Sequence, residues 1–412
     1  MRTVASVDIG TDKIVALIGE VDTYGDVHIV GVGIAKSRGI DKGSVTRLEV
    51  SARSIASAVR EAEEMSGQKV GNVVINVSGP SIKSQNERDT VNISPSPVEV
   101  EQDHITRLLD RSIAKGKEDG YEIIHAVPRR YTLDDQEGIE DPVGLIGSKL
   151  TAQVHIVKVG TTLSRNLEKA VTSAGFYPTS RIASPLASAK AVLREEEKDD
   201  GVLLLDIGAG LTDFVLFLDG YPVITGSIPL AGNNITKDIS YFMKVDQEEA
   251  ERIKKESGVA LMDMVKEDEI LKIKPRGEVR EVTIEKRRLA EVIQIRLEEI
   301  LEKIANHIEA LGFKIENANA GIVLTGGTAN LTGIKEFAER FMDLPVRIGK
   351  PADLVGLKEK IEDPMYATAV GLLRFGVSPE GLISERKVAV NNNSPKVRDF
   401  FDKVKEFLRE IL

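Results

Sequence analysis

One short pattern occurs twice in this chain, about two hundred residues apart. The stretch Val7-Asp8-Ile9-Gly10-Thr11-Asp12 ends a strand-like segment near the N-terminus. Leu205-Asp206-Ile207-Gly208-Ala209-Gly210-Leu211-Thr212-Asp213 repeats it after a second strand-like segment. Either copy alone reads as an ordinary turn. Two copies in the same strand-then-hairpin setting read as an internal duplication. The chemistry of the motif is that of a phosphate clasp. Glycine-rich turns let backbone N–H groups converge on phosphate oxygens. A carboxylate at the end of the preceding strand holds Mg²⁺, usually through water, because that ion dehydrates reluctantly. Asp8 and Asp206 are the expected carboxylates, and Gly10, Thr11, Asp12, Gly208, Ala209 and Gly210 the expected loop contacts.

Two further segments fit a nucleotide. Ile322-Val-Leu-Thr-Gly-Gly-Thr328 places a glycine pair after a buried strand and before a helix, where a nucleoside can lie against the backbone. Gly326, Gly327 and Thr328 are its expected contacts. Glu251 and Lys254 stand three apart on a helix and are expected to reach ribose and adenine, although such a pair also serves as a solvated ion pair.

Length sets the number of bodies. A chain of 412 residues exceeds one hydrophobic core, so two or more domains are expected. A β-rich meander opens it over residues 4–34, and a helix follows at 47–65. Residues 81–159 differ in texture, with a Ser/Pro-rich stretch at 94–97, a helix near 101–116 and short strands near 121–131 and 151–159. Helices are also expected at 162–174, 246–257 and 287–311. In the last, Leu289, Val292, Ile293, Leu297, Ile300, Leu301, Ile304, Ile308 and Leu311 share one broad face.

Composition closes several routes. There is no cysteine, which removes disulfides and thiol chemistry. Only five histidines and no His-Glu-x-x-His run argue against zinc chemistry. A net charge of -10 disfavours nucleic acid as a partner. No apolar run reaches the ~20 residues that span a bilayer, and no apolar leader follows Met1, so no secretory signal is expected.

The clasp, the Gly-Gly turn and the Glu/Lys helix, taken in chain order, resemble the ATPase pattern of the superfamily of actin, heat-shock chaperones and sugar kinases. Further stretches resemble the bacterial cell-division FtsA family: Ala35-Lys-Ser-Arg-Gly-Ile-Asp-Lys-Gly43, Val77-Ser-Gly-Pro-Ser-Ile82 and Pro185-Leu-Ala-Ser-Ala189, with a C-terminal amphipathic helix. The resemblance implies an α/β actin-like ATPase fold with duplicated RNase H-like halves around a nucleotide cleft. It implies subdomain 1A at 1–80, 160–199 and 361–377, 1C at 81–159, 2A at 200–232 and 298–360, and 2B at 233–297. A linker at 378–394 and a membrane-targeting helix at 395–412 would follow.

It also implies ATP and Mg²⁺ as ligands, self-association into filaments, further divisome contacts through 1C, and docking of the FtsZ C-terminal peptide near Arg288 and Arg296. These two arginines stand eight apart, about two helical turns, so they are expected to share a face. Catalysis is expected to be weak, and no residue is assigned to it. Where some superfamily ATPases place Glu or Gln to orient water, this chain has Ser184. Lys13 sits too close to Asp8 to match the phosphate-contacting lysine of actin.

The final helix follows Ser394-Pro395 and carries Phe400, Phe401, Val404, Phe407, Leu408 and Ile411 on one face, flanked by lysine and arginine. That is the composition of an interfacial helix, and the resemblance implies that it holds the protein on the inner face of the cytoplasmic membrane. Two other classes compete: a pilus-assembly scaffold of the PilM type, which lacks such a tail, and a sugar kinase, which needs a catalytic aspartate in a substrate cleft, for which the sequence offers no convincing candidate.

Overall fold

The computed structural model describes residues 2–277 and 280–377. The expected linker and terminal helix, with Phe400, Phe401, Val404, Phe407, Leu408 and Ile411, lie outside the described residues.

The chain opens with β1 (Arg2–Ile9), β2 (Lys13–Val21) and β3 (Val27–Lys36), an antiparallel meander. Six consecutive residues of β1 are buried, so this strand reads as an unbroken apolar run rather than an alternating one. A small hairpin of β4 (Ile40–Asp41) and β5 (Ser44–Val45) leads into α1 (Leu48–Ser66). Then β6 (Asn72–Val77) pairs parallel to β1.

Gln85–Lys158 form a compact unit of their own. Its elements are β7 (Lys83–Asn92), β8 (Val98–Glu99), α2 (Gln102–Gly116), β9 (Tyr121–Leu133), β10 (Gln136–Ile139), β11 (Ile146–Gly147) and β12 (Lys149–Gly160). Four strands form a sheet in the order β10-β9-β12-β7, and β8 pairs with β11. Leu108, Leu109 and Ile113 of α2 share a core with Leu150, Val154 and Ile156 of β12. β9 and β12 are longer than the short strands expected. In β12 the alternation Leu150, Ala152, Val154, Ile156 runs on without a glycine or proline to end it.

The main unit resumes with α3 (Thr161–Ser173), β13 (Tyr177–Ala183), α4 (Ser184–Val192) and α5 (Glu195–Asp200). β13 completes a first sheet in the order β13-β6-β1-β2-β3. A second sheet follows the same plan. β14 (Val202–Ile207), β15 (Thr212–Leu218) and β16 (Tyr221–Ile228) make its meander. Next come α6 (Gly232–Phe242), α7 (Gln247–Ser257), the ribbon of β17 (Ile270–Ile273) and β18 (Val282–Glu285), and α8 (Lys286–Ala310). β19 (Ile322–Thr325), α9 (Ile334–Met342) and β20 (Val346–Ile348) finish it, in the order β16-β15-β14-β19-β20. β14, β19 and β20 are parallel, as are β1, β6 and β13. The duplicated motif is therefore the trace of a duplicated fold. Among the described residues only the first sheet gains an extra edge strand, β21 (Val355–Gly356).

Of the apolar face expected on α8, Leu289, Ile293, Leu297, Ile300, Leu301, Ile304 and Ile308 are buried in the core of the second half. Val292 is only partly covered. Leu311 lies beyond the helix and is exposed, because the chain turns away there. α8 runs unbroken through residue 297.

α10 (Ala367–Val377) packs against α4 between the two sheets. Their backbones meet at Gly371, where a Cβ would fall 1.7 Å from the carbonyl oxygen of Ala187. No larger residue fits that crossing without moving a helix.

Candidate nucleotide cleft

Both copies of the motif end a central strand at its carboxyl end, where open α/β sheets place their ligands. The two turns are built alike. Gly10 N–H donates to the Lys13 carbonyl at 3.1 Å, and Gly208 N–H donates to the Leu211 carbonyl at 3.0 Å. Asn76 braces the first turn by accepting from Ile9 N–H at 2.7 Å. The N-terminus of α6 braces the second, where Gly232 N–H donates to the Gly208 carbonyl and Asn233 N–H to the Ala209 carbonyl. Thr328 Oγ1 donates to that same Gly208 carbonyl at 3.0 Å, joining the Gly-Gly turn to the second hairpin.

Between these loops lies a cavity of about 310 Å³, the size of a small-molecule site. It is lined by Asp8, Gly10, Thr11, Asp12, Asp206, Gly208, Ala209, Gly210, Glu251, Lys254, Gly326, Gly327 and Thr328. The structure thus brings together every residue that the sequence suggested for nucleotide and metal.

Asp206 accepts hydrogen bonds from Ser188 of α4 at 2.6 Å and Thr368 of α10 at 3.0 Å. Gly326 stands beside it with φ of 85°, and a Cβ there would lie 2.3 Å from Asp206 Oδ1. Left-handed backbone and lack of space together make glycine obligatory. Lys254 Nζ pairs with Glu251 at 2.7 Å and donates to Thr236 at 2.8 Å. Glu251 in turn accepts from Thr236 at 2.5 Å. The pair is held by α6 rather than left loose in solvent.

Three carboxylates are buried together. Burial and the neighbouring charge of Asp206 push Asp8 up to about 7, against the pull of Lys13. Burial raises Asp206 as well, although Ser188, Thr368 and Lys13 oppose it. Asp213 is pushed up to about 7 by burial and by Asp206. Lys13 offsets only part of the charge that this trio carries when ionised, so the site is short of positive charge. A divalent cation would supply it, so the donor set fits Mg²⁺. Among the described residues no three acidic or histidine side chains converge as direct ligands, so such an ion would be held through water and phosphate.

Several cleft residues escaped the sequence reading: Asn76, Ser78, Asp213, Lys255, Asn330 and Thr368. Asp213 had a signal, since it closes the second motif. Lys13, set aside for phosphate contact, does line the cleft. Burial lowers its pKa, against the charges of Asp8, Asp363, Asp12 and Asp206, and its Nζ lies 4.8 Å from the centroid of the Tyr366 ring. Ser184 is buried, accepting from Asn76 Nδ2 at 3.1 Å.

Arg288 and Arg296 lie on α8 and do not line the cleft. Their settings differ. Arg288 is exposed, 3.8 Å from Glu285. Arg296 is largely covered and grips both oxygens of Asp238 at 2.5 and 3.0 Å. Among the described residues no helix is long and apolar enough to cross a membrane.

Known proteins share this architecture. A complex titled "PilM-PilN type IV pilus biogenesis complex" superposes with a TM-score of 0.66 at 17% identity, covering 91% of this chain and 99% of that one. MreB5 of Spiroplasma citri bound to ADP gives a TM-score of 0.53 at 15% identity, covering 91% of this chain and 96% of that one. These likenesses establish the actin-like fold. Residues 203–371 match the family described as "Cell division protein FtsA", and residues 79–158 match the "SHS2 domain inserted in FTSA". Cell division protein FtsA of Neisseria meningitidis serogroup B is 38% identical over 380 residues, 92% of this chain and 91% of the relative. That of Escherichia coli strain K12 is 37% identical over 381 residues, 91% of this chain and 90% of the relative. Matched along nearly its whole length and carrying the inserted unit, this chain belongs to the FtsA family of cell division proteins.

Proposed function

We propose that the cleft binds ATP with Mg²⁺, and that the bound nucleotide sets whether copies of the chain assemble into filaments. The observation that carries this reading is the pair of equivalent hairpins, each with a buried carboxylate, facing one small cavity. Asp8 and Asp206 hold the ion through its water shell. The turns at Gly10, Thr11 and Asp12 and at Gly208, Ala209 and Gly210 enclose the phosphates. Gly326, Gly327 and Thr328 seat the nucleoside, with Glu251 and Lys254 at its ribose. Ser184 is a poor orienter of water, which favours binding over rapid turnover.

The filament would anchor the FtsZ ring to the inner face of the cytoplasmic membrane. Arg288 and Arg296 would receive the FtsZ C-terminal peptide on 2B (233–297). The inserted unit would serve as 1C (81–159) for further divisome partners. Phe400, Phe401, Val404, Phe407, Leu408 and Ile411 would enter the lipid interface. One such helix binds weakly, and a filament presenting many copies binds far better. The pilus-scaffold and sugar-kinase alternatives lose ground to relatives that are cell division proteins over nine-tenths of the chain.

Sedimentation with liposomes tests this reading. The full chain should pellet with vesicles and carry FtsZ down with it. A chain ending at Val390 should stay in the supernatant, and equal sedimentation of the two would remove the membrane role.

A further inference from the structure

We propose that Asp12 and Lys255, on opposite walls of the cleft mouth, form an ionic latch that slows the exit of a bound nucleotide. The proposal rests on the reading of the cleft as a nucleotide site. It adds a device that controls exchange.

Asp12 belongs to the first half. It lies in the turn between β1 and β2, where its carbonyl accepts from Ser37 N–H at 2.9 Å and its carboxylate pairs with Lys36 at the end of β3. Lys255 belongs to the second half. It sits on α7 with its Nζ 3.1 Å from Glu251 Oε1. Both residues line the same cavity.

The charges favour closure. On the α7 wall one acid, Glu251, is shared by two bases, Lys254 and Lys255. That wall therefore carries a surplus positive charge. Asp12 offers the facing negative charge. It stays ionised because the Lys36 hydrogen bond and the charges of Lys36, Lys255 and Lys13 outweigh its partial burial. An ionised carboxylate repels phosphate at close range, so Asp12 gains more from a cation across the mouth than from the phosphates beneath it.

The pair is weak by construction. The side chains of Asp12 and Lys255 are 48% and 66% exposed, so water and salt screen them. A pair of this kind opens readily and alters a release rate about two- to fivefold. Lys36 competes with Lys255 for the same carboxylate. Removing Lys36 should therefore tighten the latch, whereas removing either latch partner should loosen it.

Stopped-flow release of a fluorescent ADP analogue from the full chain in magnesium, chased with excess ATP, reads this directly. Asp12→Asn and Lys255→Gln should each release about two- to fivefold faster than the parent. The double variant should be no faster than either single variant. Lys36→Gln should release more slowly than the parent, and added salt should speed the parent but not Asp12→Asn. Release from Lys255→Gln at the parental rate, or faster release from Lys36→Gln, overturns the latch and leaves the nucleotide site standing. A parent chain that takes up no nucleotide overturns both.

Discussion

The hydroxyl of Ser78 lies 2.6 and 2.8 Å from the two carboxylate oxygens of Asp213. Ser78 follows β6 in the first sheet and Asp213 stands in β15 of the second, so this buried hydrogen bond joins the two halves at the floor of the cleft. It links a residue of the Val77–Ile82 stretch to the last residue of the duplicated motif.

Removing Ser78 should therefore cost stability. Ser78→Ala leaves a buried carboxylate short of a donor, a change worth about 1–3 kcal/mol. Urea denaturation of the nucleotide-free protein should show the loss. Ser78→Thr, which keeps the hydroxyl, should recover part of it.

The same carboxylates set a pH dependence. In the folded protein Asp8 and Asp213 hold their protons up to about 7, whereas their ordinary value is 3.8. Between those values the folded state binds more protons than the unfolded one, so stability falls as pH rises through this window. Thermal melting of the nucleotide-free chain should give a lower midpoint at pH 8 than at pH 5.5. Asp213→Asn should flatten that slope. Glu197 does not interfere. Although burial opposes it, hydrogen bonds from Arg347 and Arg194 hold it down to about 2, so its contribution fades only in stronger acid.

Gly371→Ala tests the crossing of α4 and α10. The added methyl would meet the Ala187 carbonyl at 1.7 Å, so the helices must separate. Overpacking of this kind costs about 1–3 kcal/mol. Because Ser188 and Thr368 flank the crossing and both hold Asp206, nucleotide affinity should fall along with the denaturation midpoint.

The two arginines of α8 should separate folding from docking. Arg296→Glu would put a third acid beside Asp238 and Glu299, and should lower stability as well as peptide affinity. Arg288 is exposed and weakly paired, so Arg288→Glu should leave the melting midpoint unchanged. Fluorescence anisotropy with a labelled FtsZ C-terminal peptide should show weaker binding to both variants. An unchanged affinity for Arg288→Glu would move the partner site elsewhere.

The parts of the site that the sequence announced are those built from contiguous residues. Asp8 to Asp12 and Asp206 to Gly210 each hold carboxylate and turn in one short run, Gly326 to Thr328 is a contiguous turn, and duplication made the first two stand out. Asn76 and Ser78 come from the end of β6, Ser188 from α4 and Thr368 from α10. Each is a common polar residue with no local pattern, and only the meeting of β6, α4 and α10 gives it a role. Lys13 was set aside by comparison with actin, but its position is decided by the tight hairpin that turns it toward Asp8. The spacing of Arg288 and Arg296 suggested a shared face, which the structure does not bear out. Eight residues also rotate a side chain by about 80°, enough to put Arg296 against α6 and leave Arg288 in solvent.

Titration calorimetry of ATP with the full chain and with Asp206→Ala, each with magnesium and with a chelator, tests the central claim most directly. The account predicts that the parent binds one ATP more tightly with magnesium, and that Asp206→Ala loses most of this metal-dependent gain. Equal affinity of parent and variant in magnesium would contradict it.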